Sequence, residues 1–96
     1  MNQPVKPADF KFRLYIVGDA PNSVRAVANL TALCHQHLPD QHHIEIVDLL
    51  LEPKRGLADR IMLTPTLVKY SPAPTVNIIG NLSEPQIVLQ TLGIST

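Results

Sequence analysis

The sequence predicts a single α/β domain with a mixed four-stranded sheet, built in the order βαβ-α-ββα. Three observations predict it. Residues 10–51 read as strand pattern, amphipathic helix and second strand pattern, which together make a parallel βαβ unit. Ser71-Pro72-Ala73-Pro74 is a tight connection between two further strand patterns, so that pair is expected to be an antiparallel hairpin. An apolar segment bounded by Ser83 and Gly93 carries helix start and stop signals. Ninety-six residues hold one core and not two.

Met1 to Asp9 is polar and carries two prolines, so it reads as a flexible lead-in ahead of a domain spanning 10–96. From Phe10 to Val17 the pattern alternates. Phe10, Phe12, Leu14 and Ile16 face one way, and the opposite face turns apolar only at Tyr15 and Val17. Gly18-Asp19-Ala20-Pro21-Asn22 is turn chemistry. Asn22 or Ser23 is placed to cap a helix running to about Leu38, with Val24, Val27, Leu30 or Thr31, Cys34 and Leu38 as its buried stripe. His43 to Leu51 is dense enough in aliphatic residues for a strand buried on both faces.

Pro53 to Met62 reads as a short helix weakened by Gly56, with Leu57, Ala58 and Ile61 turned inward. Pro65 lacks an amide donor, so it is expected at the first residue of a strand or on an edge, with Thr66 to Tyr70 continuing as strand. Thr75 to Ile79 forms the fourth strand. Ser83 is placed as a cap, Glu84 lies at the positive end of the dipole, Pro85 fits the first turn, and Gly93 is placed to end the helix.

Composition excludes several function classes. Eight basic and eight acidic residues cancel, so neither nucleic acid nor an anionic membrane is an expected partner. No apolar run approaches the roughly 18 residues of a membrane span. The N-terminus lacks the apolar stretch of a signal peptide, and the expected compartment is the cytoplasm. Cys34 is the one cysteine and lies on the apolar stripe, where a packed, inert thiol is expected. His35 and His37 point to different sides of a helix, and His42 and His43 alternate across a strand, so no metal site is expected. Neither a catalytic set nor a cofactor motif is present, and the expectation is a protein that is not an enzyme. Lys54, Arg55 and Arg60 beside Glu52 and Asp59 read as a solvated face.

Four separated blocks resemble one family. Leu14-Tyr15-Ile16-Val17-Gly18 followed by Pro21-Asn22-Ser23-Val24-Arg25-Ala26 is similar to the opening of KaiB, the cyanobacterial clock protein, and its bacterial relatives. Val47-Asp48-Leu49 with Pro53, then Thr64-Pro65-Thr66-Leu67-Val68-Lys69, then Pro72-Ala73-Pro74 with Ile78-Ile79-Gly80-Asn81-Leu82-Ser83, resemble its later segments. The resemblance implies a thioredoxin-like fold in which Pro65 is cis. It gives Pro65, Pro72 and Pro74 structural or hinge roles. It also implies a second, ground-state KaiB fold with a rearranged C-terminal half. Ser83, Pro85 and Gly93 favour the thioredoxin-like state here.

Where thioredoxin-like enzymes carry Cys-x-x-Cys, this chain reads Asp19-Ala20-Pro21-Asn22-Ser23, which excludes disulfide exchange. The resemblance instead implies a non-enzymatic regulator that binds a KaiC-type hexameric ATPase, with a dimer or tetramer of its own as a further association. A thioredoxin-like adaptor similar to the N-terminal domain of the histidine kinase SasA, with another signalling partner, is the alternative. Asn22, Arg25, Asp48 and Lys69 are the candidate partner contacts. For Arg25 and Lys69 the other reading is a solvated surface charge. For Asp48 it is a strand-end carboxylate capping the following turn.

Overall fold

A computed structural model describes residues 9–95, so the lead-in expected over 1–9 lies outside the described residues apart from Asp9. The elements follow the order β1 (Phe10–Ile16), α1 (Pro21–His37), β2 (His42–Asp48), α2 (Pro53–Ala58), β3 (Thr66–Ser71), β4 (Val76–Ile79) and α3 (Pro85–Leu92). The sheet order is β2-β1-β3-β4. β1 runs parallel to β2 and antiparallel to β3, and β3 runs antiparallel to β4. This is the mixed four-stranded α/β sheet that the sequence predicts.

Alternation along β1 divides the core. Phe12, Leu14 and Ile16 join Leu30, Leu33 and Cys34 of α1, Leu67 of β3 and Val88, Leu89 and Leu92 of α3 in the main cluster. On the other face Tyr15, Val47 and Val68 form a smaller cluster, closed by half-buried Leu49 and Ile61. Gly56 of α2 is buried, and a Cβ there would come within 2.9 Å of the Leu49 side chain. The glycine that looks like a weakness in the helix is therefore a point of close approach.

Several expectations need correction. β2 is an edge strand, and only Val47 within it is buried. The strand ends at Asp48, inside the aliphatic run that suggested two-sided burial, and Leu50 and Leu51 lie in the following turn, exposed. The buried face of α1 is Ser23, Ala26, Leu30, Leu33 and Cys34, while Val24 is exposed. Ser23 is drawn inward because its Oγ accepts the Val17 amide at 3.1 Å. Neither Asn22 nor Ser23 caps α1; Ala20 occupies that position and Pro21 opens the helix.

Ser83 does not cap α3 either. Glu84 precedes Pro85, and the Ser83 amide instead donates to Asn81 Oδ1. In α2, Leu57 and Ala58 face out and only Ile61, beyond the helix, turns in. Gly93 does end α3, at φ 73. Thr64–Pro65 is cis, as are Ser71–Pro72 and Ala73–Pro74, and β3 starts directly after Pro65 in a central position of the sheet.

A candidate docking end of the sheet

Parallel pairing sets Ile16 beside Asp48, and antiparallel pairing sets Tyr15 beside Thr66. The ends of β1 and β2 and the beginning of β3 therefore lie at one edge of the molecule. The turn into α1, the exit to α2 and the Pro65 segment all meet there. The Gly80 amide donates to the Pro65 carbonyl at 2.9 Å, which brings the exit of β4 to the same end.

Asp48 organises this end. Its Oδ1 accepts the amides of Gly18 at 3.0 Å and Leu50 at 2.9 Å, joining the turn after β1 to the turn after β2. The strand-end capping reading is the one its bonds match. Asn22 is exposed at the start of α1, and its Oδ1 accepts from Asn81 Nδ2 at 3.4 Å. Asn29, two turns on, donates to the Asn81 carbonyl at 2.8 Å. These contacts hold a turn in which Leu82 takes φ 62, a region that costs a bulky residue about 1–3 kcal/mol. Burial of the Leu82 side chain in the main core offsets that cost.

Arg25 is exposed and forms no ion pair among the described residues. Lys69 is different. It lies on the helix-facing side of β3, is 4% exposed, and its Nζ donates to the Leu92 carbonyl at 3.4 Å and sits 5.8 Å from the Phe10 ring. In this fold it serves the C-terminus of α3, where a cation complements the helix dipole, and its charge is not offered to a partner. The surface-contact expectation for Lys69 is corrected accordingly. Pro72 and Pro74 lie in the β3–β4 turn, at the opposite end of the sheet from Pro65.

One constellation escapes a reading by sequence spacing. On the sheet face away from α1, Arg13 Nε donates to Glu45 Oε1 at 2.8 Å, and its Nη1 donates to Asp59 Oδ2 at 2.8 Å and to the Tyr70 hydroxyl at 2.7 Å. Arg55 forks onto both oxygens of Glu45 at 2.8 and 3.0 Å. The hydrogen bonds from Arg55 and then Arg13 hold the Glu45 carboxyl down at about 2. A β-bulge contributes: the register between β1 and β3 slips between Lys11 and Phe12, which leaves Tyr70 as the extra residue on β3. Its ring lies 4.6 Å from the Arg13 guanidinium. The signal was present as Arg13 and Glu45, but only the β1–β2 register reveals that they are opposite each other.

Burial pushes the Cys34 thiol up to about 12, far from a reactive thiolate. No group of three or more His, Cys, Asp or Glu side chains is arranged to hold a metal among the described residues. His42 donates from Nδ1 to the Leu38 carbonyl at 2.7 Å, a structural bond. A recess of about 360 Å³ at this end of the sheet is lined mainly by apolar groups of Ile16, Val24, Val27 and Ala28. Among the described residues the arrangement offers surface for contact and no nucleophile beside an activating base. No helix among the described residues is long and apolar enough to cross a membrane.

Comparison with known proteins places the chain. The KaiB domain family matches residues 13–94. Circadian clock protein KaiB3 of Synechocystis sp. is 44% identical over 82 residues, covering 85% of this chain and 80% of that protein. Circadian clock oscillator protein KaiB of Gloeothece citriformis is 38% identical over 80 residues, covering 83% and 76%. Among solved structures, the N-terminal domain of Synechococcus elongatus SasA superposes with a TM-score of 0.74 at 15% identity, over 97% of this chain and 91% of that one. Mitochondrial thioredoxin 3 of Saccharomyces cerevisiae gives 0.69 at 17% identity, over 91% and 77%. At those identities the structural likeness concerns the fold alone.

Proposed function

The chain belongs to the KaiB family, and from that membership we propose that it is a non-enzymatic regulatory module that docks on a KaiC-type hexameric ATPase in timing or stress control. The observation that carries the reading is the match over residues 13–94 to a family whose relatives are named as clock proteins. The chemistry of the chain supports it. The thiol is buried, the carboxylates of Glu45, Asp48 and Asp59 are engaged in holding the fold, and the exposed groups at the docking end are those of a contact surface.

Asn22 and Arg25 are the partner contacts proposed from this end. Both are exposed, both lie at the start of α1, and the Arg25 guanidinium is available for a salt bridge across an interface. Asp48 supports the surface by fixing the two turns that frame it. Action is stoichiometric: the module binds and alters the ATPase without turning over a substrate. Size-exclusion chromatography with the KaiC-type ATPase of the same organism and nucleotide tests it. Co-elution that weakens for Arg25→Ala is expected. The absence of any shift at about tens of micromolar, with Arg25→Ala matching wild type, overturns it and leaves the adaptor reading with another partner.

A further inference from the structure

Among the described residues, half of the large apolar side chains that the fold exposes fall in one short stretch. Leu50 is 67% exposed, Leu51 79%, Leu57 79%, Met62 88% and Leu63 58%. Leu57 lies in α2 and the other four flank it on both sides, from the exit of β2 to the residue before Thr64. Single exposed leucines are ordinary, whereas a concentration of this kind marks a surface that something covers. None of the five is needed for the fold's own clusters; Gly56, Leu49 and Ile61 supply the inward contacts of this stretch.

The charges of the same stretch are one-sided in their availability. Glu52 lies 3.6 Å from Arg55, and Asp59 is held by Arg13 at 2.8 Å and by the Tyr70 hydroxyl at 3.2 Å. Arg55 is spent on Glu45. Lys54 and Arg60 are exposed and make no ion pair among the described residues. Both acids are thus engaged internally while two cations stand free beside the leucines. An apolar surface with a cationic rim complements an apolar segment flanked by carboxylates.

We propose that the Leu50–Leu63 surface is a second docking element, which receives an apolar, acid-flanked segment of the protein partner. The inference rests on the reading of the chain as a module that docks on a KaiC-type ATPase, and it adds an apolar anchor to the polar contacts of Asn22 and Arg25. A few side chains buried at the centre of an interface carry most of its binding energy, and rim charges govern approach and salt sensitivity.

The test measures binding of the KaiC-type ATPase hexamer by wild type, Leu57→Ser/Met62→Ser, Lys54→Glu and Arg25→Ala. All three altered positions of the surface are exposed, so the variants keep the fold, which far-UV circular dichroism checks. Roughly ten-fold weaker binding is expected for the double variant. A several-fold loss with a shallower salt dependence is expected for Lys54→Glu. Wild-type binding with both surface variants unchanged overturns this inference while the ATPase reading stands. No binding by any protein overturns both. Self-association of wild type that Leu57→Ser/Met62→Ser abolishes overturns it in favour of a second copy of this chain. Retention on vesicles of anionic phospholipid overturns it in favour of a bilayer surface.

Discussion

Glu45 sits between two arginines: its Oε1 accepts from Arg13 of the adjacent strand at 2.8 Å, and its Oε2 accepts from Arg55 of α2 at 2.8 Å. Through this carboxylate the edge strand β2 is bound to the centre of the sheet and to the helix that covers part of its second face. The apolar cluster on the same face is small, formed by buried Tyr15, Val47 and Val68. A polar clamp therefore does work that apolar packing does on the α1 side.

Acid should loosen this clamp. The Glu45 carboxyl ordinarily titrates near 4.5 and is held at about 2 in the fold. A carboxyl whose value is depressed by folding contributes stability that is complete above about 4.5 and is lost as pH falls toward 2. The carboxylate is partly exposed, so solvent screening keeps the effect to about 1 kcal/mol. Glu45→Gln is expected to lower the urea midpoint at pH 7 and to lose that deficit near pH 2. A deficit that persists unchanged at pH 2 contradicts the account.

Asp48 gives a different signature, because its partners are backbone amides. Asp48→Ala frees the amides of Gly18 and Leu50 and is expected to cost about 1–3 kcal/mol. Asp48→Asn keeps an acceptor oxygen in place and should recover more than half of that loss. Amide hydrogen exchange reads the effect directly: Gly18 and Leu50 lose protection in the alanine variant, and the interior of α1 does not.

Much of this fold is legible in the sequence because periodicity and turn chemistry act locally. The βαβ unit, the hairpin and the Gly93 stop are all fixed within a few residues of where they occur. What was missed depends on pairing. His43 to Leu51 is aliphatic enough for a strand buried on both faces, but the strand stops at Asp48, its aliphatic tail falls in the turn beyond, and the centre of the sheet goes to β1 and β3. Ser23 and Val24 exchanged places for a reason outside the helix, the Val17 amide that needs an acceptor. Likewise Lys69 looks like a surface charge until α3 is laid across it. Asn22, Arg25 and Asp48 were brought to one end because the strands that precede them share a direction, which the βαβ pattern already implied.

Cys34 should be silent to thiol reagents. It is fully buried, and its thiol is pushed up to about 12, so the thiolate fraction at neutral pH is negligible. No labelling by a disulfide reagent such as dithionitrobenzoate is expected in buffer within minutes at pH 8. Complete labelling is expected in denaturant. Rapid labelling of the folded protein would mean that α1 leaves the sheet on that timescale.

Lys69 separates structural from interfacial charge. Its stem is packed inside the fold and its ammonium meets the last turn of α3 through one long bond to the Leu92 carbonyl. Lys69→Met retains the stem and removes the charge, and also removes the cost of burying an ammonium. Those effects oppose each other, so stability is expected to change by less than about 1.5 kcal/mol. Lys69→Ala also leaves a void beneath α3 and is expected to cost about 2 kcal/mol or more. A lysine that met a partner would lose binding equally in both variants, with Met as damaging as Ala. Parallel urea melts and ATPase-binding titrations of the two variants decide between these. Unchanged binding by Lys69→Met, alongside the stability loss of Lys69→Ala, is the outcome that the buried geometry requires.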